Sequence, residues 1–277
     1  MSLGMLKLSK RMRPSLGTFV EIGGYAEASC FESGIARAYK TIEKAQKLLS
    51  FHDVESELSQ LNRSVCKEIS LNPVTIRALR LAKLMTKASN SLFNLTIGGR
   101  MIELGILPNH GQDFFLPVGQ EEDLLLSENK AMLRRPVRLT LDGIAKGLCV
   151  DLAVRELRNS GFAGGWVNAG GDLRVFGCYP VPVHLRESIG EIVKLGNFQN
   201  VSIATSEVRK VSDEHFAGQI TSVRNVTIPK GRWTVQSRFA WKADALTKVA
   251  CLATPDSRSH VIQKLGGKLL VDWTDDK

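Results

Sequence analysis

The chain has 277 residues, of which 43% are hydrophobic and 23% charged, a balance typical of a globular protein with a substantial core. No apolar run reaches the length of a membrane span. The net charge of +9 favours anionic partners such as nucleotides. The lysines and arginines are scattered, however, which favours solvated surface charge over a nucleic-acid-binding face.

The five cysteines are widely spaced and form no C-x-x-C pair, which predicts reduced thiols without a disulfide framework or a zinc site. The N-terminal segment has neither the apolar stretch of a signal peptide nor a cysteine for a lipid, so a cytoplasmic location is expected. Residues 1–10 are predicted to be a tail. Its MSLG before a second Met is typical of a cloning remnant, which leaves removal of a native leader open.

Hydrophobic spacing predicts the elements of the first half of the chain. Residues 15–24 favour a strand and turn, and apolar residues every three or four positions in 27–50 predict a helix. A loop and a short helix are predicted in 51–62, and Asn72-Pro73 begins another helix. Residues 101–132 lack a regular pattern, which favours an irregular surface insertion.

The second half mixes strands with helices. Helices are predicted from about Lys146, over 241–253 and after Thr254-Pro255. Strands are predicted at RPVRLTL, VPVHLRE, VSIATSE, RWTVQSRF and KLLVDW. Because strands and helices do not alternate regularly, the predicted fold class is α+β with mixed or antiparallel sheets, in one large domain or two intimately packed lobes.

The most informative stretch is the predicted β-α-β unit over 140–172. Gly143 and Gly147 would allow close approach of a ligand to the backbone, and the helix beginning near Lys146 directs free N–H groups at the same place. An anion such as a pyrophosphate fits there, but a tight turn with a surface lysine fits these residues equally well. Common nucleotide, metal-protease and hydrolase motifs are absent from the sequence.

Seven segments, taken together, resemble the FAD:protein FMN transferase (ApbE) family in content, order and spacing. They are SLGTFVEI, SFHDVESELSQLN, SLFNLTIGG, LTLDGIAKGLCVD, VNAGGDLRVFG, SIATSEV and ADALTKVA. The resemblance covers residues 11–277 and implies a single T-fold-like domain. It also implies that the chain binds FAD and Mg²⁺ and transfers FMN to a threonine hydroxyl of a target flavoprotein, releasing AMP. A flavin-storage or scaffold protein that has lost transfer is the alternative.

The resemblance implies a metal site as well. Asp244 matches the family's metal-binding aspartate, Gly143 would supply a backbone carbonyl, and the hydroxyl of Thr247 could reach the ion. Lys248 stands where the family has a ligand threonine, and a lysine there could partly replace the metal. Lys146 would neutralise charge near the pyrophosphate and is carried over as both catalytic and cofactor-binding.

Flavin contacts are carried over in the same way. Leu16 stands at the position of a methionine that touches the ring, and His52 at that of a stacking tyrosine. The other positions carried over as FAD-binding are Leu92, Phe93, Asn94, Thr140, Asp142, Gly170, Gly171 and Thr205. The family's H-x-x-D-P-x-T-G loop is missing, but His215 lies at a suitable distance before RWTVQ and is the candidate general base.

Overall fold

A seven-stranded antiparallel sheet dominates the computed structural model, which describes residues 6–111, 114–186, 191–208, 220–221 and 228–274. In spatial order its strands are β1 (Lys7–Ser15), β2 (Thr18–Ala26), β6 (Gly164–Ala169), β7 (Asp172–Gly177), β10 (Ser202–Val208), β11 (Gly231–Ser237) and β12 (Gly267–Thr274).

Two smaller sheets and seven helices complete the described part of the chain. The small sheets are β3 (Ile69–Ser70) with β5 (Lys130–Leu133) and β4 (Leu124–Leu126), and the hairpin of β8 (Val181–Arg186) with β9 (Ile192–Phe198). The helices are α1 (Ala28–Leu49), α2 (Glu57–Arg63), α3 (Pro73–Ala88), α4 (Gly98–Glu103), α5 (Ala145–Asn159), α6 (Ala240–Leu252) and α7 (Pro255–Lys264).

One hydrophobic core joins the main sheet to the helices, extending from Val20 in β2 to Ile262 in α7. The predicted α+β class with antiparallel sheets is therefore confirmed. Helix α3 begins at its predicted cap: Asn72 accepts a hydrogen bond from the Val74 amide (3.0 Å), and Pro73 occupies the first turn. Thr254, which precedes α7, makes no such side-chain bond. Among the described residues, no helix combines the length and hydropathy needed to cross a lipid bilayer.

The segment RPVRLTL differs from its prediction, since it forms only an isolated bridge between Ile97 and Arg138 and no strand. The side chain of Asn62, at the end of α2, takes the place of a neighbouring strand. Its amide nitrogen donates to the Leu139 carbonyl (2.9 Å), and its oxygen accepts from the Leu139 amide (2.7 Å). One buried side chain thus satisfies both backbone groups of Leu139.

Strands β1, β4, β5 and β9 differ from the predictions as well. β4 lies within 101–132, where an irregular insertion was expected, and β5 begins there and ends at Leu133. β1 carries a mostly exposed, basic sequence without apolar alternation, so only its pairing with β2 defines it as a strand. It begins at Lys7, inside the predicted tail; the domain boundary at residue 11 stays a prediction.

The start of α6 is fixed against α5 by two residues of the LTLDGIAKGLCVD segment. Asp151 accepts hydrogen bonds from the amides of Ala240 and Trp241, each at 3.1 Å, and forms an ion pair with Arg174. Gly147 lies so close to α6 that an added Cβ would be 2.7 Å from Trp241 Cα. The absence of a side chain at Gly147 therefore allows α5 and α6 to pack closely. The sequence had suggested that a ligand would approach Gly147, but in the structure α6 lies there.

Candidate active site

A cavity of about 730 Å³ opens beside the start of α5. Residues of the loops around α4 line one side, and the main sheet with α5 and α6 lines the other. Ten residues predicted from the sequence line it together: His52, Leu92, Phe93, Asn94, Thr140, Asp142, Gly143, Lys146, Gly170 and Thr205. The volume is in the range of sites for cofactor-sized ligands, and the lining combines apolar with charged groups.

The turn before α5 lines this cavity at Gly143 and Lys146. Gly143 has a φ of +89°, a left-handed conformation that disfavours any side chain. Lys146 follows in the first turn of α5 and is 43% exposed. The helix N-terminus carries no acidic residue in its first turn. Positive charge and the positive end of the helix dipole therefore coincide at one side of the cavity.

Asp172, at the start of β7, lines the cavity but was not among the predicted site residues. Its carboxylate is 3.6 Å from the Lys146 ammonium. Burial, together with repulsion from Asp244, raises the pKa of Asp172 to about 7 against the opposing effect of Lys146. Asp172 in turn raises the pKa of Lys146. The feature of the sequence that could have predicted Asp172 as a site residue is its position directly after the glycine turn of the β6–β7 hairpin.

Several predicted residues lie around the cavity without lining it. Leu16 occupies the β1–β2 turn with a φ of 56° and packs partly against the core, while its neighbours Gly17 and Thr18 line the cavity. The amide of Gly171, in the β6–β7 turn, donates to Asn168 Oδ1 at 3.1 Å. His215 lies outside the described residues. The roles given to these residues stay predictions.

The predicted metal ligands Asp244 and Thr247 are fully buried, and protein partners already occupy their oxygens. Asp244 Oδ1 is 2.7 Å from the Lys248 ammonium, and Oδ2 accepts from the Gly147 amide at 3.2 Å. Thr247 donates to the Asp244 carbonyl at 2.7 Å, and its oxygen is 2.7 Å from that of Ser206.

Gly143, the third predicted ligand, is also in contact with Lys248. A Cβ built on Gly143 would be 2.8 Å from Lys248 Cε, so the lysine stem covers this glycine. Mg²⁺ requires near-octahedral oxygen coordination at about 2.1 Å. The described residues contain no group of three or more His, Cys, Asp or Glu side chains that could hold a metal ion. The arrangement around Asp244 therefore does not fit a divalent ion.

The comparisons with known proteins agree with this fold. The model of the ApbE family matches residues 16–271, so the chain belongs to the ApbE family. Among curated proteins, no significant match was found.

Solved structures similar to this chain share its fold at low sequence identity. The apo flavinyl transferase ApbE of Pseudomonas stutzeri has a TM-score of 0.78 at 16% identity, over 94% of this chain and 89% of that one. The flavin transferase ApbE of Vibrio cholerae has a TM-score of 0.76 at 17% identity, over 96% of this chain and 97% of that one. The ApbE protein of Thermotoga maritima has a TM-score of 0.80 at 19% identity, over 95% of this chain and 93% of that one.

Proposed function

We propose that this chain transfers the FMN moiety of FAD to a threonine hydroxyl of a partner flavoprotein and releases AMP. Membership of the ApbE family, and likeness to structures named flavin transferases, support flavin transfer as the general activity. The observation that carries the finer proposal is the cavity of about 730 Å³ with Lys146 and the N-terminus of α5 at one side. Such a corner suits a pyrophosphate.

FAD would be held by the two sides of the cavity. The isoalloxazine ring would pack near His52, Leu92 and Phe93, of which Phe93 is only 4% exposed and forms part of a rigid wall. The pyrophosphate would lie near Gly143, because Lys146 and the N-terminus of α5 supply positive charge beside it.

In the reaction, the threonine oxygen attacks the phosphorus atom of the FMN half. A new O–P bond forms, the bond from this phosphorus to the bridging oxygen breaks, and AMP leaves with that oxygen. The threonine proton passes to a general base, for which His215 is the candidate on family resemblance alone. Lys146 offsets the charge that accumulates on the phosphoryl oxygens. The reaction is proposed without the Mg²⁺ that the resemblance implies, because protein groups already engage the oxygens of Asp244 and Thr247.

Incubation with FAD and a flavoprotein domain bearing an acceptor threonine should give a product carrying one covalently bound FMN, with an equal amount of AMP. Intact-mass analysis and nucleotide chromatography measure the two products. His215→Ala should slow labelling by about a hundredfold or more, the usual effect of losing a general base, with FAD affinity unchanged. His260→Ala, an exposed histidine on α7, is the matched control.

Tight FAD binding without labelling of several acceptors, and without AMP, would contradict the proposal. It would leave the alternative of an FAD-binding protein without transfer. Two features of the sequence favour this alternative: Lys248 stands where the family resemblance implies a metal ligand, and the family's H-x-x-D-P-x-T-G loop is missing.

FAD should bind about tenfold more weakly at pH 8 than at pH 6. The pKa of about 7 means that Asp172 is protonated at the lower pH and ionised at the higher. An ionised Asp172 repels the pyrophosphate and engages Lys146. Like charges about 4 Å apart repel by roughly 1–4 kcal/mol between bulk water and a protein surface, and the predicted tenfold change needs about 1.4 kcal/mol. Flavin fluorescence quenching at each pH measures the effect.

Asp172→Asn stays neutral throughout and should bind FAD with nearly the same affinity at both pH values. Because His52 also lines the cavity, the comparison is made between the parent and Asp172→Asn at each pH. If the two proteins show the same pH dependence, Asp172 is not the titrating group.

A further inference from the structure

We propose that the ammonium group of Lys248 is a built-in cation that takes the place of a divalent metal, so that this chain binds FAD without Mg²⁺. The inference concerns one cation inside the cavity and rests on the proposed function only for the identity of the anion, FAD.

The position of Lys248 is the first argument. It lies one helical turn after Asp244 on α6, and its Nζ is 2.7 Å from Asp244 Oδ1 and 3.3 Å from Thr247 Oγ1. Its stem covers Gly143, where an added Cβ would be 2.8 Å from Cε. The ammonium thus contacts two of the three residues that the family resemblance names as metal ligands, and the lysine stem covers the third.

Access to the cavity is the second argument. Lys248 lines the cavity, and its side chain is 23% exposed, whereas Asp244 is fully buried beneath it. An ammonium has three N–H donors, and the contacts to Asp244 and Thr247 use two of them. The third can serve a phosphate oxygen in the cavity.

Charge balance is the third argument. A buried carboxylate needs a cation, and Lys248 already supplies one to Asp244. A divalent ion within coordination distance of Asp244 would lie beside the ammonium and be repelled by it, and it would have to displace both Lys248 and the Gly147 amide from the carboxylate. Since the ammonium belongs to the chain, a chelator cannot remove it.

The first test uses the unmodified protein. We expect the same FAD dissociation constant, within twofold, in EDTA and in millimolar Mg²⁺, measured by flavin fluorescence quenching. Electron paramagnetic resonance of free Mn²⁺ should show no ion taken up by the protein, with or without FAD. Uptake of one Mn²⁺ per chain in the micromolar range, or FAD binding that needs Mg²⁺, would overturn the inference.

The second test uses Lys248→Thr, which frees Asp244 and adds a hydroxyl. In EDTA this variant should bind FAD at least tenfold more weakly than the parent, and Mg²⁺ should restore the affinity. It should also take up one Mn²⁺. Lys242→Thr is the matched control: it removes the same charge from the same helix, but its ammonium lies over the Trp241 ring, and it should change neither quantity.

The results separate this inference from the proposed function. If FAD binds without a metal but no FMN is transferred, the inference stands and the transferase proposal fails. If FMN is transferred only with Mg²⁺, the transferase proposal stands and the inference fails. Should Lys248→Thr not fold, the Mn²⁺ titration of the parent protein still decides the matter.

Discussion

Replacing Asp151 with alanine should lower the free energy of unfolding by about 3–5 kcal/mol, the usual cost of removing one partner of a buried ion pair. Asp151 is 8% exposed and pairs with Arg174, whose side chain is 13% exposed. The substitution leaves this arginine without its carboxylate. It also removes the acceptor for the amides of Ala240 and Trp241 at the start of α6.

Chemical denaturation followed by circular dichroism measures this change. Asp256→Ala is the matched control, because Asp256 is an exposed acid in the first turn of α7 and its loss should cost less than about 1 kcal/mol. A loss of similar size in the two variants would show that Asp151 does not hold α6 against α5.

Replacing Lys146 with alanine should weaken FAD binding by about 10–100-fold, since a hydrogen bond to a charged group contributes on the order of 1.5–3 kcal/mol. The free energy of unfolding should change little, because the Lys146 side chain is 43% exposed and its partner Asp172, with a pKa of about 7, can take up a proton when the lysine is gone.

Comparison with FMN sharpens the test of Lys146. The parent protein should prefer FAD to FMN, because only FAD carries a pyrophosphate, and Lys146→Ala should lose most of this preference. Lys40→Ala removes the same charge from an exposed position on α1 and should leave both affinities unchanged. Equal loss of FMN and FAD affinity in Lys146→Ala would place the lysine away from the pyrophosphate.

Short-range patterns explain why much of the architecture was predictable from sequence. Helix α1 follows from apolar spacing, and α3 from apolar spacing together with its Asn72 cap. The residues carried over from one family include ten that line the cavity. These signals are local, since each motif specifies a turn or a helix end together with its neighbours.

Features that depend on distant partners were not predictable. The sequence shows that Lys248 stands where the family has a threonine, but not that its stem covers Gly143, about 100 residues earlier in the chain. Asp172 of β7 was not predicted to be a site residue, because its contact with Lys146 of α5 depends on how the two elements pack. RPVRLTL has the composition of a strand, yet Asn62 rather than a neighbouring strand satisfies the Leu139 backbone.

The walls of the cavity come from segments as far apart as Gly17 and Leu252. The site can therefore form only when both ends of the chain have been brought together. A proteolytic fragment ending before α6 would lack Lys248 and Asp244, and one beginning after α1 would lack Gly17 and Thr18. Flavin binding is therefore a property of the entire fold, and bound flavin should slow proteolysis at sites far from the cavity as well as at its rim.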